Sequence, residues 1–225
     1  MPALSRSQQD YLKALYALAP DGGPVATSRL AERLGVSAPS VTAMLGKLAR
    51  TRLVSYTPRG GARLSASGRR QAIDTVRRHR ILETFLARVL GLDWSEVHAD
   101  AEVLEHHISD RVLEAIDRLM NHPAEDPHGH QIPDRRGRLR ARRLAPLASL
   151  AAGERATVRE VPEGERARMG RWKQAGLVPG ATVRMRAVRE LDGVFELEIG
   201  RRRWVSAGDA LAGVMVEPLG RGARP

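Results

Sequence analysis

The sequence predicts a mainly α-helical chain in three parts that ends in a small β-domain, and three observations carry that reading. Apolar residues recur at helical spacing in short runs from Leu12 to about Ala49, and in longer runs from Ser67 to Met120. Beyond them the pattern changes to short alternating runs, Thr182 to Val188, Val194 to Ile199 and Val214 to Val216. Between the helical and alternating regions, Asn121 to Arg143 reads NHPAEDPHGHQIPDRRGRLRARR, a stretch so rich in Pro, Gly and charge that it is expected to be a linker. The expected domains are residues 1–70, 71–143 and 144–225. The length of 225 residues agrees with more than one domain, since single domains usually run ~100–150 residues.

The first part has the layout helix, tight turn, helix. Thr27 to Leu34 is followed by Gly35-Val36-Ser37 and then by Ala38 to Leu45. Thr27 and Ser37 are each placed to accept a backbone N–H at a helix start, Gly35 permits the turn, and Pro39 falls in a first helical turn where no N–H is required. Ala31, Leu34, Val36, Val41 and Leu45 are expected to share a core that holds the two helices at a steep angle. Leu53 to Leu64 then reads as two short strands around Gly60-Gly61, a wing with Arg59 and Arg63 at its tip. The second helix begins with small and hydroxylic residues that let its backbone approach a DNA major groove. Thr27, Ser37, Ala38, Pro39, Ser40, Thr42 and Lys47 are therefore the candidate DNA contacts, with Arg59 and Arg63 suited to phosphate.

The middle part is expected to hold two long helices broken at Gly91 to Ser95, where Gly91 stops the first and Ser95 caps the second. In the second of these, His98, Glu102, Glu105 and His106 share one stripe beside an apolar stripe of Ala101, Leu104, Ile108, Ala115 and Leu119. The first carries His79 and Glu83 at i and i+4. Most Glu and His residues at such spacing line a solvated face; several His–carboxylate pairs beside apolar stripes point instead to a metal site. Asp10 adds a carboxylate from the first helix, although Ser7-Gln8-Gln9-Asp10 also fits a capping box. His122, His128 and His130 read as polar loop residues. A donor set of carboxylate and imidazole suits Mn²⁺, Fe²⁺ or Zn²⁺, and its carboxylate excess leans toward Mn²⁺. The last part reads as a small antiparallel barrel or sheet with one helix near Glu165 to Gln174.

Composition sets outer limits. The chain has 37 Lys+Arg against 26 Asp+Glu, a formal charge of +11, which favours a polyanionic partner or merely solubility. It has no cysteine, so disulfides, thiolate zinc sites and a thiol nucleophile are excluded and any metal is held by O and N. The N-terminal MPALSRSQQD lacks the apolar core of a signal peptide, and no stretch approaches the ~18 apolar residues of a membrane span, so a cytoplasmic location without membrane contact is the default expectation.

Taken together, Gln9-Asp10-Tyr11-Leu12, Ala31 to Leu48, Arg78 to Glu83, Val97-His98 through Glu105-His106 and Asp126-Pro127-His128-Gly129 resemble the diphtheria-toxin-repressor family of metal-dependent regulators, in its manganese-responsive branch. That resemblance implies a winged helix, a helical dimerisation domain and a C-terminal barrel similar to SH3-like or ferrous-iron-transport-A-like domains. It also implies a homodimer on a palindromic operator, repressing manganese or iron homeostasis genes. By position it places Asp10, Glu102, Glu105 and His106 in a primary metal site and His79, Glu83 and His98 in a second, to which the barrel adds a ligand such as Glu165. Lys13 stands where manganese regulators often carry a Glu, Arg168 where an iron-type barrel supplies a Gln, and Ala43 where the family has a longer polar residue. Two other classes compete: a metal-dependent hydrolase, which lacks here any His-Glu-x-x-His or Gly-x-Ser-x-Gly pattern, and an adaptor whose barrel binds protein.

Overall fold

The computed structural model describes residues 4–164, 166–189 and 192–219, and these cluster into two compact units. The first runs to His79 and includes Glu105–Ile108 and Pro133–Arg138; the second holds Arg80–Leu104, Ser109–Ile132 and the chain from Leu139 onward. Among the described residues no helix is long and apolar enough to cross a membrane.

In the first unit, helix α1 (Arg6–Leu18) opens on a capping box in which the Gln8 side chain accepts from Ser5 N–H at 2.9 Å and Ser5 Oγ accepts from Gln8 N–H at 3.4 Å. This corrects the expected box at Ser7 to Asp10, since Asp10 lies in the second turn and has no capping role. Helix α2 (Thr27–Leu34) starts from an extended Ala26 that makes no side-chain cap, so Thr27 is its first residue and not its cap. Gly35 ends it in the left-handed conformation at φ +64°. Ser37 caps α3 (Ala38–Arg50) as expected, accepting from Ser40 N–H.

Leu12, Leu15, Leu30, Val41, Leu45 and Leu48 form the core where α1, α2 and α3 meet. Val36 is not part of it; the reversal at Gly35 leaves this side chain 40% exposed. Strands β1 (Val54–Thr57) and β2 (Gly61–Leu64) pair antiparallel, and Val25 adds a bridge to Ala62. Arg59 sits at the tip of this wing, but Arg63 lies opposite Ser55, down the strand.

Helix α4 (Ala66–Arg88) follows the wing directly. The single helix expected to run from Ser95 to Met120 is two: α5 (Val97–Leu104) and α6 (Asp110–Leu119). Ser109 caps α6 by accepting from Val112 N–H, and a chain that restarts a helix there must first leave the previous one. Glu105 and His106 therefore sit in a turn. The expected apolar stripe breaks with it, leaving Leu104 41% and Leu119 67% exposed.

The stretch expected to be a linker is ordered instead by polar bonds. Asp126 Oδ1 accepts from His128 N–H at 2.8 Å and from His130 N–H at 3.0 Å, and Asp126, His128 and Ile132 are buried. The C-terminal region holds β3 (Ala145–Pro146), β4 (Arg155–Glu160), α7 (Arg166–Ala175), β5 (Thr182–Arg189), β6 (Val194–Ile199), β7 (Arg202–Ala207) and β8 (Met215–Pro218). The sheet order is β3-β8-β4-β5-β6-β7, antiparallel throughout. Its core gathers Leu147, Val158, Trp172, Met185, Leu197 and Val216, and the Trp172 indole N–H donates to Ala210 O at 2.9 Å. Strands β4 and β7 had no counterpart in the sequence reading.

One backbone position ties the polar turn to the sheet. Gly129 has φ +87°, and a Cβ there would lie 1.7 Å from Arg159 O. Gly129→Ala is expected to cost roughly 1–3 kcal/mol from the backbone conformation alone, with the clash added to it. Thermal unfolding measures this, and an unchanged midpoint would show that the turn does not depend on close approach to β4.

Candidate metal centre

Among the described residues, His and carboxylate side chains gather at buried and half-buried positions in each unit. In the first unit α1 supplies Asp10 and Lys13, the end of the first-unit part of α4 supplies His79, and the turn after α5 supplies Glu105 and His106. Asp10, Glu105 and His106 each bring a donor atom within 4.8 Å of the others. His106 Nε2 lies 3.0 Å from Asp10 Oδ1 and 3.4 Å from Glu105 Oε1. Its Nδ1 lies 2.5 Å from Gln9 Oε1, an acceptor, so Nδ1 carries a ring proton and Nε2 is the atom turned to the carboxylates. That nitrogen is buried without a hydrogen-bond partner among the described residues. An imidazole nitrogen grouped with oxygens of two carboxylates at these distances is a donor set that a divalent metal ion fits.

Lys13 answers part of that demand. Its Nζ donates to both Glu105 oxygens at 2.9 and 3.0 Å and lies 3.2 Å from His79 Nδ1. The Glu105 side chain is fully buried, so this ammonium is its strongest compensation within the unit. His79 Nδ1 also lies 2.5 Å from Glu105 Oε2.

In the second unit, Glu83 from α4, His98 from α5, Glu163 from the loop before α7, and Asp126, His128 and His130 from the polar turn come together. Asp126, His128, His130 and Glu163 place a donor atom each within 4.8 Å of one another, and so do Glu83, His98 and Glu163. Glu83 and His128 have no exposed side-chain surface. The His128 Nε2 donates to Trp94 O at 2.9 Å, which fixes the ring and turns Nδ1 toward Glu83 Oε2, 3.5 Å away. Among the described residues His128 Nδ1, His130 Nδ1 and Asp126 Oδ2 are buried without hydrogen-bond partners. Burial opposes the charged form of His130, yet the Asp126 and Glu163 carboxylates outweigh it and push the imidazole pKa up to about 10. For His128 burial likewise opposes protonation, and Glu83, with Asp126 and Glu163, turns the net direction upward. Both imidazoles thus sit in a field that holds cations.

Of the residues expected from the sequence, Asp10, Glu105 and His106 come together in the first unit and Glu83 and His98 in the second. Sequence reasoning missed Asp126, His128, His130 and Glu163, although Asp-x-His-x-His places three donors on alternate residues and could have signalled them. Glu102 lies in the second unit, 3.8 Å through Oε1 from His98 Nε2, and His79 in the first. Glu165, the expected barrel ligand, lies outside the described residues. Of the candidate DNA contacts, Ser37, Ala38, Pro39, Ser40, Thr42, Lys47, Arg59 and Arg63 are exposed and Thr27 is half-buried. Ser37 and Ser40 hydroxyls pair at 2.8 Å, and Thr42 Oγ1 donates back to Ala38 O at 3.1 Å.

Comparison with known proteins gives three family matches. Residues 3–62 match the iron dependent repressor N-terminal DNA binding domain, residues 65–134 the iron dependent repressor metal binding and dimerisation domain, and residues 145–218 the FeoA domain. The chain is 33% identical over 196 residues to the iron-dependent repressor IdeR of Mycobacterium tuberculosis, covering 81% of this chain and 85% of that protein. It is 34% identical over 154 residues to IdeR of Mycobacterium leprae, covering 68% of this chain and 65% of that one. A solved manganese-dependent transcriptional repressor in complex with manganese superposes with a TM-score of 0.87 at 35% identity, over 94% of this chain and 100% of that structure.

Lys13→Met removes the ammonium from a buried carboxylate, a change that costs roughly 3–5 kcal/mol where nothing replaces the charge. The expected result is a lowered unfolding midpoint in chelator-treated protein that Mn²⁺ largely restores. Equal losses with and without Mn²⁺ would show that no ion reaches Glu105.

Proposed function

The chain belongs to the iron-dependent repressor family, and from that premise we propose that Mn²⁺ is its activating ion and a palindromic operator its target. Members of this family are metal-dependent, DNA-binding transcriptional repressors, not enzymes. The observation that carries the manganese reading is the donor set: every candidate ligand is a carboxylate or an imidazole, and a chain without cysteine has no thiolate to draw softer ions. Fe²⁺ is the second ion that this set suits.

Asp10, Glu105 and His106 are the proposed ligands of the activating site, with Glu102 added by sequence resemblance alone. A divalent ion there would bind through His106 Nε2 and oxygens of the two carboxylates, adding positive charge to that of Lys13. Asp10 is carried on α1, whose Leu12 and Leu15 pack in the same core as Leu30, Val41 and Leu45. Holding Asp10 against Glu105 and His106 therefore restrains a helix that shares one core with the recognition helix. A dimer is supported by the apolar side chains Val103, Leu104, Val112 and Leu119, which α5 and α6 leave exposed. In such a dimer, two recognition helices ~34 Å apart match half-sites one DNA turn apart. The exposed N-terminal turn of α3 reads bases, and Arg59 at the wing tip takes phosphate.

The double variant Asp10→Ala/His106→Ala is expected to keep its circular dichroism and dimer mass while losing Mn²⁺-dependent binding to a fragment of its own promoter, read by fluorescence anisotropy. Retained Mn²⁺-dependent binding would refute the activating site. Separately, Arg59→Ala should weaken binding across sequences and reduce the magnitude of the salt slope by about 1, as loss of one phosphate contact requires. A slope unchanged from wild type would take the wing tip off the DNA.

A further inference from the structure

We propose that the turn at residues 134–138, together with Arg70 of α4, is a second contact to the phosphate backbone of the DNA that the winged helix reads. The inference rests on the DNA-binding reading and goes beyond it by placing a sequence-independent contact outside the winged helix, within the same compact unit.

The chain builds one turn twice. Asp126-Pro127-His128-Gly129-His130 and Asp134-Arg135-Arg136-Gly137-Arg138 each set a glycine three residues after an aspartate. In both, the aspartate Oδ1 accepts from the N–H groups two and four residues on, at 2.8 and 3.0 Å in the first turn and 2.8 and 2.9 Å in the second. In both, the aspartate N–H donates to the carbonyl four residues on at 3.0 Å, and the glycine, at φ +87° or +75°, returns its N–H to the aspartate carbonyl. The turns differ in the side chains they carry at the second and fourth residues after the aspartate. The first carries two imidazoles; the second carries the guanidinium groups of Arg136 and Arg138. A block of like charge is ordinarily a disordered tail, but a turn bonded to its own aspartate holds its backbone without a core.

This second turn is also anchored on α4. The Pro133 carbonyl accepts from Arg77 Nη1 at 2.6 Å, and a Cβ at Gly137 would lie 3.0 Å from Ile73 Cγ2. Arg70 and Arg77, three residues before and four after Ile73, share the helix face on which the turn lies. Residues 70–78 and 134–138 hold six arginines against two aspartates. Those aspartates are already matched, Asp74 by Arg78 at 3.1 Å and Asp134 by Arg138 at 2.7 Å. Arg70, Arg135 and Arg136 are exposed, and no ion pair engages Arg70 or Arg136 among the described residues.

The position of this patch selects DNA among polyanions. The start of α4 is fixed to the base of the wing: Ser65 Oγ accepts from Gly68 N–H at 3.0 Å, Ser67 Oγ donates to Arg52 O at 3.1 Å, and a Cβ at Gly68 would lie 1.9 Å from Leu53 O. Ile73 is seven residues beyond Ala66, so the turn meets α4 about 10 Å along the helix axis from the wing. Duplex DNA carries a negative charge every ~1.7 Å of its axis, which sets phosphate densely along such a distance. Guanidinium groups pair their N–H donors with phosphate oxygens and read no base, so the patch adds affinity without sequence preference.

The test uses full-length protein with saturating Mn²⁺ and labelled promoter DNA, with anisotropy read over a series of salt concentrations. Arg70→Ala/Arg136→Ala is expected to lower the magnitude of the salt slope by about 2, since each lost phosphate contact removes about 0.9. Binding to an unrelated fragment of the same length should weaken by the same factor. Arg186→Ala/Arg189→Ala removes the same charge from β5 in the second unit and should leave the wild-type slope. A wild-type slope in Arg70→Ala/Arg136→Ala, which would leave the patch to an acidic protein, overturns the contact, and so does an equal loss in both double variants. The DNA-binding reading stands in either case if wild-type protein binds the promoter, whereas wild-type protein that binds no promoter DNA overturns both.

Discussion

Glu83 and Glu105 are carboxylates with essentially no access to water, and a carboxylate in that position must be matched by positive charge or give up its own. Around each, the chain assembles imidazoles whose protons are already committed elsewhere: His106 to Gln9 and His128 to Trp94 O. What results is a set of buried carboxylates faced by imidazoles inside each of the two units. Asp126 holds the backbone of His128 and His130, Gly129 lets that turn approach β4, and the break between α5 and α6 leaves Glu105 and His106 in a turn beside Asp10.

Lys13 shows how the imbalance is managed without metal. Its ammonium reaches both oxygens of Glu105 and neutralises one charge, while His106 Nε2 and Asp10 still face each other across 3.0 Å. The lysine thus covers part of the electrostatic cost of keeping the cluster buried and leaves a remainder suited to one divalent ion. A glutamate at the same place would add negative charge instead and call for more metal.

Much of this was legible in the sequence because the signals were local. Gly35, Ser37 and Pro39 each have a backbone reason to stand where they do, and the structure places them at the turn, the cap and the first turn of α3. Asp10, Glu83, His98, Glu105 and His106 were legible as donors at helical spacing beside apolar residues. The division between α5 and α6 was not, because continuous apolar periodicity masked the capping signal of Ser109. The turn from Asn121 to Arg143 was misread for a different reason. Its Pro, Gly and charge content shows only that it cannot build an apolar core, whereas it is held by Asp126 bonding its own backbone and by Arg80 and Arg77 reaching Gln131 O and Pro133 O. Glu163 lay beyond local reasoning altogether, since its partners His98 and His130 are far from it in sequence and are brought to it only by the fold.

Anomalous diffraction from crystals of the Mn²⁺-loaded protein, collected at the manganese absorption edge, tests the central claim most directly, since it locates ions without reference to activity. The account predicts peaks within bonding distance of His106 Nε2 and Asp10, and of Glu83 and Glu163. Manganese found only at exposed surface carboxylates, with both buried clusters closed by hydrogen bonds, would contradict it.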